Sequence, residues 1–196
     1  MPEIAVFIDR DGTISEEVGY INHLSRFQIY PWSPQAVSAL NRNGLKAILV
    51  TNQAGVARGY FTEDLVIQVH EKLRQELAKA DAHLDAIYYC PHHPSVGTEP
   101  YRQSCNCRKP KPGMLLRAAK DLGVDLSRSF MVGDRYSDIE LAQNAGTRSI
   151  LVLSGYGRGE YEYQRQNWTA QPDWIANNLL EATQIVLEHR NLSPRV

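Results

Sequence analysis

The chain has 196 residues, of which 43% are hydrophobic and 22% are charged, a composition typical of one soluble globular domain and not of a disordered chain. The net charge of −1 excludes a general attraction to nucleic acid or to an anionic membrane, so we expect neither as a partner. No apolar run approaches the roughly 20 residues that span a bilayer, and the apolar start is too short for a secretion signal. We therefore expect a cytoplasmic protein, working as a monomer.

Predicted strands and helices alternate along the chain. The predicted strands are short apolar runs at residues 4–8, 45–50, 86–89, 130–132, 149–153 and 173–175. The predicted helices lie at about 33–44, 62–77, 113–121, 138–145 and 178–189. Ser33, before Pro34, and Thr62 are candidate N-caps. The alternation predicts an α/β fold, a three-layer Rossmann-like parallel sheet with helices on both faces, in a single domain over residues 1–196.

Two carboxylates, Asp9 and Asp11, lie where the first predicted strand gives way to a turn at Gly12. One carboxylate can attack phosphorus and form an aspartyl-phosphate, and the other can donate and accept the proton. Together they can also hold Mg²⁺, which prefers oxygen ligands. The same residues are compatible with an ordinary polar turn. Arg10, between them, is predicted to be exposed.

Three further polar residues follow predicted strands or precede a predicted helix. Thr51 ends the second predicted strand, and Asp134 follows the fourth. Lys109 comes shortly before the helix that begins near residue 113. Ligands of open parallel sheets bind beyond the carboxyl ends of the strands, so we expect these residues to meet there. A hydroxyl, an ammonium group and Mg²⁺ supply the positioning and the charge cancellation that phosphoryl transfer needs.

Taken in order, these motifs resemble those of the haloacid dehalogenase superfamily of phosphohydrolases, over residues 4–138. The matching stretches are Asp-x-Asp-Gly-Thr at 9–13, Thr51, Lys109, and Gly-Asp-x-x-x-Asp at 133–138. The resemblance implies that Asp9 is the nucleophile and Asp11 the acid and base. It implies Mg²⁺ held by the Asp9 carboxylate, the Asp11 backbone carbonyl and Asp134. Thr51 and Lys109 would then bind the transferred phosphate, while Asp138 either supports Lys109 or caps its helix.

The three cysteines fall close together, at Cys90, Cys105 and Cys107, with His92 and His93 beside the first of them. An odd count argues against a disulfide framework. Three thiolates and one imidazole suit tetrahedral Zn²⁺, which would order an intervening loop that has little apolar content. Unpaired thiols beside surface histidines are the alternative, and the spacing leaves both interpretations open.

The stretches Cys-Pro-His-His-Pro at 90–94 and Cys-x-Cys-Arg-Lys-Pro-x-Pro-Gly-Met at 105–114 resemble a narrower family. It comprises the D-glycero-D-manno-heptose-1,7-bisphosphate 7-phosphatases, zinc-containing members of the histidinol-phosphatase-like branch. The resemblance implies a sugar bisphosphate substrate, a zinc-stabilised loop and no large cap domain. It implies a structural zinc whose ligands are Cys90, His92, Cys105 and Cys107, with His93 as a less favoured alternative. Asn52 and Arg108 would contact the substrate beyond the transferred phosphate.

Three other functions remain as alternatives. A histidinol-phosphate phosphatase would share the motifs, but a loop shorter than the twelve residues between His92 and Cys105 is expected there. A polynucleotide 3′-phosphatase should show a basic track for nucleic acid, and the net charge of −1 with no run of Lys or Arg disfavours it. A non-enzymatic, zinc-stabilised binding module would not need the full set of catalytic motifs.

His70 is predicted to lie on the surface or on a helix face, and the polar segment 155–171 is predicted to be a peripheral loop.

Overall fold

The computed structural model describes residues 2–195. Six strands form one sheet: β1 (Ala5–Ile8), β2 (Lys46–Asn52), β3 (Ala86–Cys90), β4 (Phe130–Gly133), β5 (Arg148–Val152) and β6 (Trp174–Ala176). Six α-helices lie between or after them: α1 (Ser33–Arg42), α2 (Glu63–Ala78), α3 (Gly113–Leu122), α4 (Tyr136–Ala145), α5 (Gly157–Gln164) and α6 (Leu179–His189). Short 3-10 turns occur at Leu24–Arg26, Leu126–Arg128 and Arg165–Asn167.

All neighbouring strands are parallel, in the order β3-β2-β1-β4-β5-β6. The first strand lies between β2 and β4, with Ile8 beside Leu49 on one side and beside Val132 on the other. The chain therefore winds outward in both directions from β1, and a crevice for a ligand is expected outside the carboxyl ends of these central strands.

The central strands are apolar throughout because helices cover both faces of the sheet. Val6 and Ile8 contribute to the larger apolar cluster, which includes residues of α1, α2 and α6. Ala5 and Phe7 point to the opposite face, into a cluster with residues of α3 and α4. Full burial of each large apolar side chain contributes roughly 1.5–3 kcal/mol. The predicted three-layer α/β architecture is confirmed.

Two predicted helix starts differ from the structure. Ser33 is the first residue of α1 and Trp32 occupies the N-cap, because the Ser33 hydroxyl is buried and donates to the backbone oxygen of Ile14 at 2.8 Å. Helix α4 begins at Tyr136, two residues earlier than predicted. The N-cap at Thr62 is confirmed, since its hydroxyl accepts from the backbone N–H of Leu65.

The prediction of a peripheral loop over residues 155–171 is wrong. This segment contains α5, and its buried residues are Gly157, Glu160, Trp168 and Ala170. The Trp168 ring stacks on Tyr136 at 4.8 Å between centroids, which attaches the segment to the start of α4. The sequence shows no apolar stripe for this helix, because its only buried residues are Gly157 and Glu160.

None of the helices within residues 2–195 has both the length and the hydropathy to span a bilayer.

Candidate active site

A cleft of about 580 Å³ lies at the carboxyl ends of the central strands. Six residues singled out in the sequence line it: Asp9, Asp11, Thr51, Asn52, Arg108 and Lys109. Asp9 directly follows β1, and Thr51 lies near the end of β2. The loop before α3 supplies Arg108 and Lys109. The parallel sheet thus brings together side chains that are up to a hundred residues apart in the sequence.

Three buried carboxylates lie close together, and the ammonium group of Lys109 contacts two of them. Oxygen atoms of Asp9, Asp134 and Asp138 lie within 4.8 Å of one another. Lys109 Nζ is 2.8 Å from Asp9 Oδ1 and 2.7 Å from Asp138 Oδ1. Burial disfavours the charged lysine, but the attraction of Asp138 and Asp9 outweighs it and raises the pKa of Lys109 above its usual value. The site therefore keeps a permanent positive charge beside the candidate nucleophile.

The cluster contains three carboxyl groups and one ammonium group, so it is net negative when all of its carboxyl groups are ionised. Burial raises the pKa of Asp9 to about 7, against the opposing effect of Lys109. Burial also raises the pKa of Asp134 well above its usual value, and the charges of Asp9 and Asp138 add to the rise. Asp134 Oδ1 is buried without a hydrogen-bond partner among residues 2–195. Hard oxygen donors, an unpartnered carboxylate oxygen and excess negative charge together fit a divalent cation such as Mg²⁺.

Gly12 allows the turn after β1 to lie against Asp134. Its φ of +81° falls in the left-handed region, and a Cβ there would collide with the Asp134 carboxylate. On the far side, the backbone N–H of Tyr156 donates to Asp134 Oδ2 at 2.8 Å. The Ser154 hydroxyl donates to the backbone oxygen of Gly12 at 2.6 Å. The turn after β5 therefore helps to fix the carboxylate cluster.

Asp138 serves both of the purposes that the sequence left open. Its Oδ1 pairs with Lys109, and its Oδ2 accepts from the backbone N–H of Arg135 at 3.1 Å, at the start of α4. The side chain is fully buried. Asp138 therefore links the beginning of α4 to the lysine.

Asp11 is held by a buried arginine. Arg10 Nε donates to Asp11 Oδ1 at 3.0 Å, and Arg10 Nη2 donates to Asp11 Oδ2 at 2.8 Å. Gln53 Nε2 donates both to Asp11 Oδ2 at 3.0 Å and to Thr51 Oγ1 at 2.9 Å. The prediction that Arg10 is exposed is wrong: it is 2% exposed, because this two-point ion pair offsets the loss of hydration.

His70 lies on the inner face of helix α2 and is 6% exposed, so of its two predicted positions the helix face is confirmed and the surface is not. Its Nε2 lies 3.4 Å from Arg10 Nη1. Burial lowers the pKa of His70 to about 3, and the positive charges of Arg10 and Arg74 add to this effect. His70 is therefore neutral at ordinary pH.

The loop before α3 is attached to β2 through Asn52. Asn52 Oδ1 accepts from the backbone N–H of Lys109 at 3.0 Å, and Asn52 Nδ2 donates to the backbone oxygen of Lys109 at 3.3 Å. Arg108 Nη1 donates to the backbone oxygen of His92 at 3.4 Å. The partly exposed Arg108 therefore lies between the cleft and the cysteine-containing loop.

The second group of metal-ligand side chains comprises Cys90, His92, Cys105 and Cys107, whose donor atoms lie within 4.8 Å of one another. The three sulfur atoms are separated by 3.1 to 3.5 Å, and His92 Nδ1 lies 3.4 Å from Cys107 Sγ. This set of soft donors is compatible with a metal ion bound by four protein ligands. His93 lies outside the group, and its Nε2 accepts from Arg58 Nη2 at 3.1 Å.

Sequence reasoning missed one wall of the cleft, which contains Arg135, Tyr156 and Glu160. The Arg135 guanidinium lies 4.4 Å from the centroid of the Tyr156 ring, and its Nη2 is 3.1 Å from Glu160 Oε1. Glu160 Oε2 also accepts from the backbone N–H of Tyr136 at 2.7 Å. The local sequence signal for this wall was Arg135-Tyr136, directly after Asp134. Its partners Tyr156 and Glu160 lie at the start of α5 and within it, and this helix was not predicted.

The chain is similar to known phosphatases. A family model described as HAD-hydrolase-like matches residues 106–182. A D-glycero-D-manno-heptose-1,7-bisphosphate 7-phosphatase of Thermosynechococcus vestitus is 45% identical over 100% of both chains. The D-glycero-beta-D-manno-heptose-1,7-bisphosphate 7-phosphatase of Escherichia coli is 40% identical over 93% of each. The crystal structure of a D,D-heptose 1,7-bisphosphate phosphatase from B. bronchiseptica, complexed with magnesium and phosphate, has a TM-score of 0.82 and 30% identity, and the match covers 96% of this chain and 99% of that one.

Proposed function

Because this chain belongs to the family of the D-glycero-D-manno-heptose-1,7-bisphosphate 7-phosphatases, with a HAD-like fold, we propose that it removes the 7-phosphate of D-glycero-D-manno-heptose 1,7-bisphosphate. The reaction is the hydrolysis of a phosphoric monoester, in the biosynthesis of nucleotide-activated heptose. The observation that carries the proposal is the meeting of Asp9, Asp11, Lys109 and Asp134 at the sheet edge, in a chain similar to these enzymes over its whole length.

Asp9 is the nucleophile in this proposal. Its carboxylate oxygen attacks the phosphorus atom in line with the ester oxygen and forms an aspartyl-phosphate. Lys109, which already contacts Asp9, and the Thr51 hydroxyl bind the oxygens of the transferred group. The carboxylates of Asp9 and Asp134 and the backbone carbonyl of Asp11 would hold Mg²⁺. When bound, Mg²⁺ keeps the carboxylates ionised and offsets the charge that develops on the phosphoryl oxygens.

Asp11 is the general acid and then the general base. It gives its proton to the sugar oxygen that leaves, and it later accepts a proton from the water that cleaves the aspartyl-phosphate. The ion pair with Arg10 and the hydrogen bond from Gln53 support this assignment, because they fix the position of a carboxylate that remains partly exposed to the cleft.

Cations around the cleft support a bisphosphate as the substrate. Arg108 lines the cleft beside Lys109 and offers a forked donor for a second dianionic group. Arg135 lines the same cleft, with Tyr156 and Glu160 fixing its guanidinium. Asn52 would contact the substrate beyond the transferred phosphate and also holds the Lys109 backbone in place.

The cysteine-containing loop would carry a structural zinc. Cys90, His92, Cys105 and Cys107 supply four protein ligands, which leaves no open position for a reacting water molecule. Arg108 and Lys109 directly follow Cys107. We infer that the metal fixes the backbone from which both cations reach the cleft.

We further propose that residues 1–196 act as a single cytoplasmic domain and as a monomer. The partner is the small sugar bisphosphate, without nucleic acid or a membrane. The net charge of −1 supports the absence of nucleic acid and of a membrane among the partners, because binding to polyanions would require a basic surface. The names of the relatives favour the heptose bisphosphate over histidinol phosphate, and an enzyme over a non-enzymatic, zinc-stabilised binding module.

The decisive experiment compares kcat/KM for both anomers of D-glycero-D-manno-heptose 1,7-bisphosphate with kcat/KM for histidinol phosphate, at a fixed Mg²⁺ concentration. We expect a clear preference for one or both heptose anomers and the release of phosphate from C7. A preference for histidinol phosphate would contradict the proposed substrate. Absence of Mg²⁺-dependent turnover with any phosphomonoester would contradict the proposed mechanism.

A further inference from the structure

A buried pair lies behind Asp11, and the mechanism above does not use it. Arg10 and His70 are 2% and 6% exposed. Arg10 binds both oxygens of Asp11, and its remaining amino group, Nη1, lies 3.4 Å from His70 Nε2. Because a guanidinium group only donates hydrogen bonds, His70 must accept this one as a neutral imidazole.

The hydrogen bonds to Asp11 distinguish its two oxygens. An ionised carboxylate offers about four acceptor sites, two on each oxygen. Asp11 Oδ2 accepts from both Arg10 and Gln53, whereas Oδ1 accepts from Arg10 Nε alone. One site therefore remains, and it lies on Oδ1. The Asp11 side chain is 19% exposed and lines the cleft, so a substrate oxygen can reach it.

Two elements of the fold fix the position of His70. The residue lies within α2, and its ring is 5.6 Å from the ring of Tyr89 on β3, tilted by 60°. The Tyr89 hydroxyl donates to Glu63 Oε1 at 2.9 Å, at the start of the same helix. The low pKa of His70, about 3, keeps the ring an acceptor over the range in which phosphatases are assayed. His70 is thus a rigid, neutral support for the arginine.

We propose that His70 is a positioning residue for the hydrolysis: it fixes Arg10, and Arg10 fixes Asp11 so that Oδ1 transfers the proton. This inference rests on the proposed function, in which Asp11 is the acid. In the first step the Asp9–phosphorus bond forms, the ester P–O bond breaks, and the proton on Asp11 Oδ1 passes to the leaving oxygen. In the second step water takes the place of Asp9 on phosphorus and returns a proton to Asp11.

The test compares two esters in variants of His70. An alkoxide needs a proton to leave, whereas p-nitrophenolate leaves without one, and kcat/KM reports the steps up to formation of the aspartyl-phosphate. His70→Phe keeps an aromatic ring of similar size but removes the acceptor. We expect its kcat/KM for glycerol 3-phosphate to fall about ten- to a hundredfold further than its kcat/KM for p-nitrophenyl phosphate. The ratio of the two losses does not depend on the fraction of protein that is folded.

Two further variants serve as controls. His70→Gln supplies an amide oxygen as the acceptor, so it should recover most of the glycerol 3-phosphate activity that His70→Phe loses selectively. Arg10→Lys keeps the charge but lacks the two-point fork, so it should show the same selective loss as His70→Phe. Equal losses for both esters in His70→Phe would overturn the positioning role.

Asp11→Asn separates failure of this inference from failure of the proposed function. If Asp11→Asn shows the selective loss of the alkyl ester and His70→Phe does not, the inference fails and the proposed role of Asp11 stands. If Asp11→Asn loses both esters equally, the proposed role of Asp11 fails, and the inference fails with it.

Discussion

Asp9 and Asp11 are two residues apart but have different proposed roles, so the two substitutions should differ in whether a phospho-enzyme can still form. Asp9→Asn should lower turnover by roughly a thousandfold or more, because an amide cannot form the phospho-enzyme. The fold should persist, since Asp138 remains as a partner for Lys109. Asp11→Asn should also be slow but keeps the nucleophile. Rapid-quench labelling with an activated phosphate ester should give a phospho-enzyme for Asp11→Asn and none for Asp9→Asn. Near-normal hydrolysis by Asp9→Asn would disprove the covalent mechanism.

Arg108 and Lys109 are adjacent but should differ in substrate dependence. Lys109 contacts the nucleophile, so Lys109→Ala should damage the hydrolysis of every phosphate ester. Arg108 is partly exposed at the cleft, and its expected partner is the second phosphate. A charge-assisted hydrogen bond contributes roughly 1.5–3 kcal/mol, so Arg108→Ala should cost about ten- to more than a hundredfold in kcat/KM for the heptose bisphosphate beyond its effect on p-nitrophenyl phosphate. Equal losses for both substrates would assign Arg108 to the transferred phosphate.

Individual site residues could be inferred from the sequence only where the signal is local. Asp9 and Asp134 follow apolar strands and Thr51 lies near the end of one, and the parallel sheet then determines that they meet. The burial of Arg10 could not be inferred, because a charged side chain is buried only when a partner offsets the loss of hydration. One of its partners, His70, is sixty residues away on α2, and nothing in the spacing connects the two.

Among the secondary-structure elements, the loop between β3 and α3 provides a matched pair of histidines for a metal test. His92 lies with the three cysteines, whereas His93 bonds to Arg58. Purified wild-type protein should contain about one zinc per chain. His92→Ala and Cys107→Ser should lose most of that zinc and loosen the loop that carries Arg108, while His93→Ala should retain it. Metal analysis by mass spectrometry checks all four proteins. Full activity in zinc-free wild-type protein would contradict the structural role.

The strands and most helices were predictable because burial on both faces of a parallel sheet leaves a continuous apolar run in the sequence. Helix α5 was not, since it has only two buried residues, Gly157 and Glu160. Glu160 is buried because it pairs with Arg135 and accepts from the backbone of Tyr136, and both partners belong to a different motif. Elements held by a few polar contacts to distant residues leave no periodic pattern from which to infer them.

The stability of the whole molecule should depend on pH through His70. The unfolded chain binds a proton at His70 near pH 6.5, but the folded protein does so only near pH 3. Between these values the unfolded state holds more protons, so the free energy of unfolding falls as the pH is lowered. At about 1.36 kcal/mol per pH unit, this residue should remove roughly 2 kcal/mol between pH 7.5 and pH 5.

Comparison with His70→Gln, whose side chain at position 70 has no titratable group, isolates the contribution of His70 to the pH dependence of stability. Asp9 and Asp134 have raised pKa values, so without a bound cation they oppose the trend: the folded state takes up protons more readily than the unfolded one. Their contribution is common to wild type and His70→Gln and cancels in the difference between them. Urea unfolding at pH 7.5 and at pH 5, with the Mg²⁺ concentration held constant, should show that the wild type loses about 2 kcal/mol more than His70→Gln. Equal losses would mean that the folded protein protonates His70 as readily as the unfolded chain does, which its contact with the Arg10 guanidinium opposes.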